Sequence, residues 1–303
     1  MRVSSKLYQL RGIVAKGQLL GESRKTVLCS GLPAQFHEQI GKAAHGRLFS
    51  TKEEVTGRQY EHLIGVSESR KPLVVMLPDD MLGSFAYRLV ALQLQAAGYT
   101  VILPNYRCQF LSQESELQGK SSLDQYVSNV QGALFPGKVV LIGHGRGGSV
   151  ARALIKQNDL NRCEIVGAMF ICDPNLVGLS RVRIDAGLMW SRFCGSFSGE
   201  ISLGEATARR SFFSDQIEKD DFVENVFPYM TPLFAKGSNE AIEMGPDDLT
   251  IPWRAVFGRK DKSLILSGIE HQNVTYIDNG SHIPMITQPE ETAKIILEFL
   301  NQF

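Results

Sequence analysis

The densest chemistry in the chain lies between Lys138 and Ala153, KVVLIGHGRGGSVARA. A β-branched apolar run leads straight into a glycine cluster, and the cluster leads into a helical pattern. Two different machines use that layout. One is the G-x-S-x-G elbow, a sharp strand-to-helix turn that lifts a nucleophile above a sheet. The other is the G-x-G-x-x-G loop that seats a dinucleotide pyrophosphate on a helix N-terminus. Gly143, Gly145 and Gly148 satisfy the second pattern literally. Asp173, after the next apolar run, stands where a ribose-binding acid would. Taken alone, this segment favours neither machine.

Two distant segments add an acid and a base. Ile251–Leu264 reads IPWRAVFGRKDKSL, a strand followed by G-x-x-D with Asp261. Asn279–Leu300 reads NGSHIPMITQPEETAKIILEFL, a turn carrying His282 and then an amphipathic helix. If they pair, the acid fixes the tautomer of the imidazole and raises its basicity, which makes a general base.

The elements that must hold these residues are legible around them. Leu73–Leu77, Val101–Leu103, Val139–Ile142 and Ile165–Cys172 are short, continuous apolar runs, and Trp253–Phe257 is another, broken only by Arg254. Strands of that kind fit a parallel sheet covered on both faces. Helical stretches at 85–97, 122–134 and 149–157 alternate with them, which predicts an α/β fold. Leu48–Ile64 reads as a strand pair around a polar turn. From about residue 175 to 249 the alternation stops, and Met189, Trp190, Phe193, Phe212, Phe213, Phe222, Phe227 and Tyr229 follow without a strand-like run. A helical lid inserted between two strands is the simplest account. Ile295, Ile296, Phe299 and Leu300 give the last helix an apolar face. The expected organisation is an N-terminal segment over 1–70 adding strands to the same domain, a core over 71–174 and 250–303, and the lid over 175–249.

With an elbow, then an Asp after one strand and a His after the next, the chain resembles the α/β-hydrolase superfamily. The matching blocks are Leu73–Leu103, Val139–Ala153, Ile251–Asp261 and Gly280–Phe299, in the family's order. The resemblance implies a mostly parallel central sheet flanked by helices. It also implies a pocket with His282 and Asp261 as the catalytic pair, Asp173 being the second choice for the acid.

The chain departs from the family twice. The elbow position that carries the family's nucleophile is Gly145, which has no side chain, so no acyl-enzyme can form there. The space it vacates is expected to hold a water or a substrate atom. Glycine also relieves the backbone strain of that turn. After the first clear strand the family has His-Gly, opening the loop that supplies an oxyanion-hole N–H; this chain has Pro78, Asp79 and Asp80. Proline removes a donor, and two carboxylates repel a developing oxyanion. Backbone N–H groups of Asp80 or Arg146 are the remaining candidate donors, with His144 beside them as a substrate contact or as packing. Ser149 is expected to point away from the pocket, and Cys108 could line it.

Composition narrows the partners. Lys+Arg and Asp+Glu are both 32, so there is no basic excess for nucleic acid. No apolar run approaches the ~20 residues of a membrane span. The five cysteines are scattered and never form C-x-x-C, which fits reduced thiols and a cytoplasmic setting. Arg2, Lys6, Arg11 and Lys16 precede the first acid, Glu22, so an organellar transit segment is the alternative. The six histidines show no metal-ligand spacing, and no metal or cofactor is expected. The favoured reading is an acid–base enzyme acting on a small, fairly apolar molecule by lyase, cyclase or water-activating chemistry. The alternatives are a ligand-binding or scaffold pseudo-hydrolase, a serine esterase whose nucleophile has been substituted, and a dinucleotide-dependent oxidoreductase.

Overall fold

The β-branched apolar runs form the middle of one sheet. The computed structural model describes residues 47–52, 59–64, 71–79, 84–104, 123–131, 137–157, 163–173, 176, 182–184, 245–261, 264–266 and 271–303. Strands β1 (Arg47–Lys52) and β2 (Gln59–Ile64) pair antiparallel, with Arg47 opposite Ile64. Next come β3 (Leu73–Leu77), a 3₁₀ turn at Ser84–Tyr87, helix α1 (Arg88–Ala96) and β4 (Val101–Pro104). Helix α2 (Leu123–Gln131), β5 (Gly137–His144), α3 (Arg146–Gln157) and β6 (Cys163–Ile171) follow. After β7 (Val182–Ile184), the chain runs through β8 (Trp253–Gly258), β9 (Leu264–Leu266) and β10 (Val274–Ile277). It ends in α4 (Pro284–Thr287) and α5 (Pro289–Leu300).

The main sheet has the order β1-β2-β4-β3-β5-β6-β8-β10. Its six strands from β4 to β10 are mutually parallel, and β2 joins β4 antiparallel. Val74–Leu77, Val101–Leu103, Val139–Ile142 and Ala168–Ile171 are fully buried. Only a sheet covered on both faces buries successive residues of a strand, and that is why these runs are apolar without alternation. Helix α3 adds Val150 and Leu154 to the core, and α5 adds Ile296, Phe299 and Leu300 at helical spacing. Pro284 and Pro289 stand in the first turns of their helices, where a missing N–H costs nothing.

Three differences from the sequence reading bear on the site and its surroundings. The helix after β5 starts at Arg146, not Ser149, because one left-handed glycine completes the turn. Strand β6 starts at Cys163, not Ile165, and a β-bulge shifts its register with β5 between Ile165 and Gly167. The stretch expected to be free of strands contains β7, which pairs antiparallel with β9 in a separate two-stranded sheet. Three residues are too few for a periodicity to register. Apart from Leu176, β7 and residues 245–249, the expected lid lies outside the described residues, as do residues 1–46, Asp80 and Cys108.

Candidate active site

The elbow is made by a single residue. Strand β5 ends at His144, α3 begins at Arg146, and Gly145 between them has φ +50°. A left-handed backbone costs a residue with a Cβ roughly 1–2 kcal/mol, and glycine little. Gly145 N–H donates to the Ile171 carbonyl at 3.1 Å, which ties the turn to the end of β6. Gly147 is required for a different reason. A Cβ there would run into the Leu77 carbonyl and stand 2.9 Å from the Pro78 oxygen. The first turn of α3 therefore rests directly on the end of β3.

Asp79, from the loop after β3, reaches across to this elbow. Its Oδ2 accepts the Arg146 N–H at 2.9 Å. A Cβ built on Gly145 would overlap that same oxygen and lie 3.1 Å from the Asp79 Cγ. The space left by the missing nucleophile is thus filled by a carboxylate of the protein itself, which corrects the expectation of a water or substrate atom there. The physical reason is local. The N–H groups at a helix start attract an anion, and glycine leaves room for one. Arg146, a candidate donor to substrate, already spends its N–H on Asp79.

Asp261 and His282 come from two loops that cross at glycines. A Cβ on Gly280 would stand 2.9 Å from the Gly258 Cα. Lys260 N–H donates to the Gly280 carbonyl at 2.9 Å, and Arg259 N–H to the Ile277 carbonyl at 3.0 Å. This weave brings His282 Nδ1 to 2.8 Å from Asp261 Oδ2. Both residues are buried. Facing a carboxylate, Nδ1 carries the proton, so Nε2 is the basic atom of the neutral ring. The His282 loop is pinned from within as well, since Ser281 Oγ accepts the Ile283 N–H at 3.3 Å and lies 3.1 Å from Thr287 Oγ1.

His144 holds the same loop from the other side. Its Nε2 lies 2.8 Å from the His282 carbonyl oxygen, so Nε2–H donates to it. The two rings meet edge to face with centroids 5.1 Å apart. Burial first, and the neighbouring His282 second, lower the His144 pKa to about 4. It is a neutral clamp on the backbone of His282.

Asp173 belongs to another cluster. Fully buried, it is ion-paired with Arg152 Nη1, while Arg152 Nη2 donates to Ser149 Oγ at 3.1 Å. Asp261, not Asp173, lies against His282. The three donors Cys172, Asp261 and His282 come within 4.8 Å of one another, a group that sequence spacing does not reveal. The thiol is a poor ligand as it stands. Burial first, and Asp261 next, push its pKa well up, and Cys172 Sγ sits 3.8 Å from the Ser281 carbonyl. Sequence reasoning named Asp79 as a repellent neighbour and missed it as the occupant of the elbow. A carboxylate two residues past a strand end, facing an elbow without a side chain, is the signal that could have found it.

A mostly parallel sheet with an elbow after β5, an acid after β8 and a histidine after β10 defines the α/β-hydrolase class. The chain belongs to the alpha/beta hydrolase family, whose profile matches residues 74–295. Solved structures share the fold at low sequence identity. A bromoperoxidase from Bacillus anthracis superposes with a TM-score of 0.66 at 17% identity, over 84% of this chain and 100% of that one. An N-acyl homoserine lactonase, AidH, solved as a point mutant complexed with N-hexanoyl homoserine, gives 0.63 at 17%, over 84% and 97%. An esterase from Rhodococcus sp. ECU1013 gives 0.60 at 18%, over 84% and 98%. No curated protein sequence matches the chain. Among the described residues, no helix is long and apolar enough to cross a membrane.

Proposed function

We propose that this protein is an acid–base enzyme of the α/β-hydrolase family that works without a serine nucleophile, on a small and fairly apolar molecule. One observation carries the reading: the His282–Asp261 contact is intact at 2.8 Å while position 145 has no side chain to activate. His282 Nε2 takes a proton from the substrate, or from a water that attacks it, and later returns one. Asp261 accepts the hydrogen bond from Nδ1–H throughout, without taking the proton, and stabilises the imidazolium. Lyase, cyclisation and hydrolysis by activated water all fit that role. A general base in position contributes about 10²–10⁴-fold. His282→Ala is therefore expected to lower kcat by that factor, on a substrate found by screening carbon acids and hydratable alkenes, with binding nearly unchanged. Full activity in His282→Ala overturns the proposal. The scattered cysteines support a reducing compartment such as the cytoplasm.

One observation favours a second reading, a ligand-binding protein on the hydrolase fold: Asp79 occupies the elbow. Under that reading a ligand binds equally to the natural chain and to His282→Ala, and neither turns it over. The Asp79 carboxylate at the same place argues against a serine esterase altered only at its nucleophile.

A further inference from the structure

We infer that Asp79 and Gly145 form a mutually dependent pair that closes this pocket to acyl transfer, which makes Asp79 a specificity-determining residue. Acyl transfer at an elbow needs a nucleophile on residue 145 and the N–H of residue 146 for the carbonyl oxygen as it becomes anionic. Asp79 denies both. The Oδ2 that a Cβ on residue 145 would overlap is the same atom that accepts the Arg146 N–H at 2.9 Å. A tetrahedral oxyanion would have to displace a carboxylate or stand beside it as a like charge. The dependence runs both ways. A side chain at 145 crowds the Asp79 carboxylate, whose end can swing aside while its backbone stays beside the elbow and keeps a like charge next to any oxyanion. Pro78 before it is buried, and its carbonyl comes within 2.9 Å of where a Gly147 Cβ would stand, so the loop is wedged against α3. Esters, thioesters and amides are excluded as acyl donors. What remains is proton transfer that builds no oxyanion over Arg146. This last step rests on the reading of His282 as the base; the closure itself does not.

The test compares the natural chain with Gly145→Ser, Asp79→Ala and the double variant. Three readouts are used: fluorophosphonate labelling of residue 145 mapped by mass spectrometry, hydrolysis of p-nitrophenyl butyrate, and amide hydrogen exchange at Arg146. Removing one oxyanion donor costs about 10²–10³-fold. Labelling and hydrolysis are therefore expected to be roughly 100-fold faster in the double variant than in Gly145→Ser. Exchange at Arg146 is expected to rise in Asp79→Ala, because its amide loses its acceptor; this readout stands even if the double variant fails to fold. Equal labelling of Gly145→Ser and the double variant overturns the inference, and so does unchanged exchange at Arg146. Adding His282→Ala to the double variant separates the two proposals. Labelling that persists unchanged refutes His282 as the base and leaves the Asp79–Gly145 pair standing.

Discussion

Replacing Arg152 with methionine is expected to cost about 3–5 kcal/mol, the usual cost of leaving a buried charge without its partner. Both side chains of the Arg152–Asp173 pair are 0% exposed. The guanidinium bonds Asp173 and Ser149 and lies 5.7 Å over the Phe170 ring. The Asp173 carboxylate is pressed against α3, where a Cβ on Gly148 would stand 3.1 Å from its own Cβ. Methionine keeps the stem and most of the volume, so a cavity contributes little and the lost pairing dominates. For a domain of this size each kcal/mol moves Tm by about 2–4 °C, so Tm should fall by roughly 6–20 °C. Scanning calorimetry and the urea midpoint measure it. Adding Asp173→Asn, which removes the stranded charge, should recover most of the loss. A single variant within about 1 kcal/mol of the natural chain, or a double variant no more stable than the single, refutes the assignment of Asp173 to structure.

Acid should destabilise the protein partly through His144. Its folded pKa of about 4 lies below the unfolded value of 6.5, so its contribution is complete above pH 6.5 and is lost as pH falls towards 4. At one pKa unit per 1.36 kcal/mol the full swing is about 3 kcal/mol, and urea titrations of His144→Phe should show that much less acid sensitivity between those limits. Gly147→Ala should lower stability by about 1–3 kcal/mol, because its Cβ enters backbone at the end of β3; an unchanged urea midpoint contradicts the packing of α3 on that strand. The natural chain should take up no stoichiometric fluorophosphonate at any serine, checked by intact mass.

How far the fold can be read in the chain depends on how local each cause is. The strands β3 and β5 are legible because a short, continuous apolar run rich in valine and isoleucine is stable almost only inside a covered sheet. Chain order then leads to the family, since an elbow, an Asp and a His follow β5, β8 and β10 in that order. The short strand β7 is not legible, because three residues carry no period and its partner β9 lies some eighty residues away.

The candidate site divides the same way. The residue types of the chain determine that position 145 offers no nucleophile, that Asp261 and His282 can form an acid–base pair, and that Pro78 and Asp79 replace a donor loop. Tertiary structure decides the rest. Asp173 and Asp261 both follow strand ends and look alike in one dimension. Only packing puts one against Arg152 and the other against His282. The glycine pattern alone fits a dinucleotide loop equally well, and the distant Asp261 and His282 already favour the elbow in one dimension. Asp79 becomes the occupant of the elbow only when β3 and β5 lie side by side, which brings two loop ends within hydrogen-bond reach across 67 residues of sequence. Residue identity sets which groups can carry charge and protons. Which charge meets which donor is set by distances of about 3 Å, and those exist only in the folded chain.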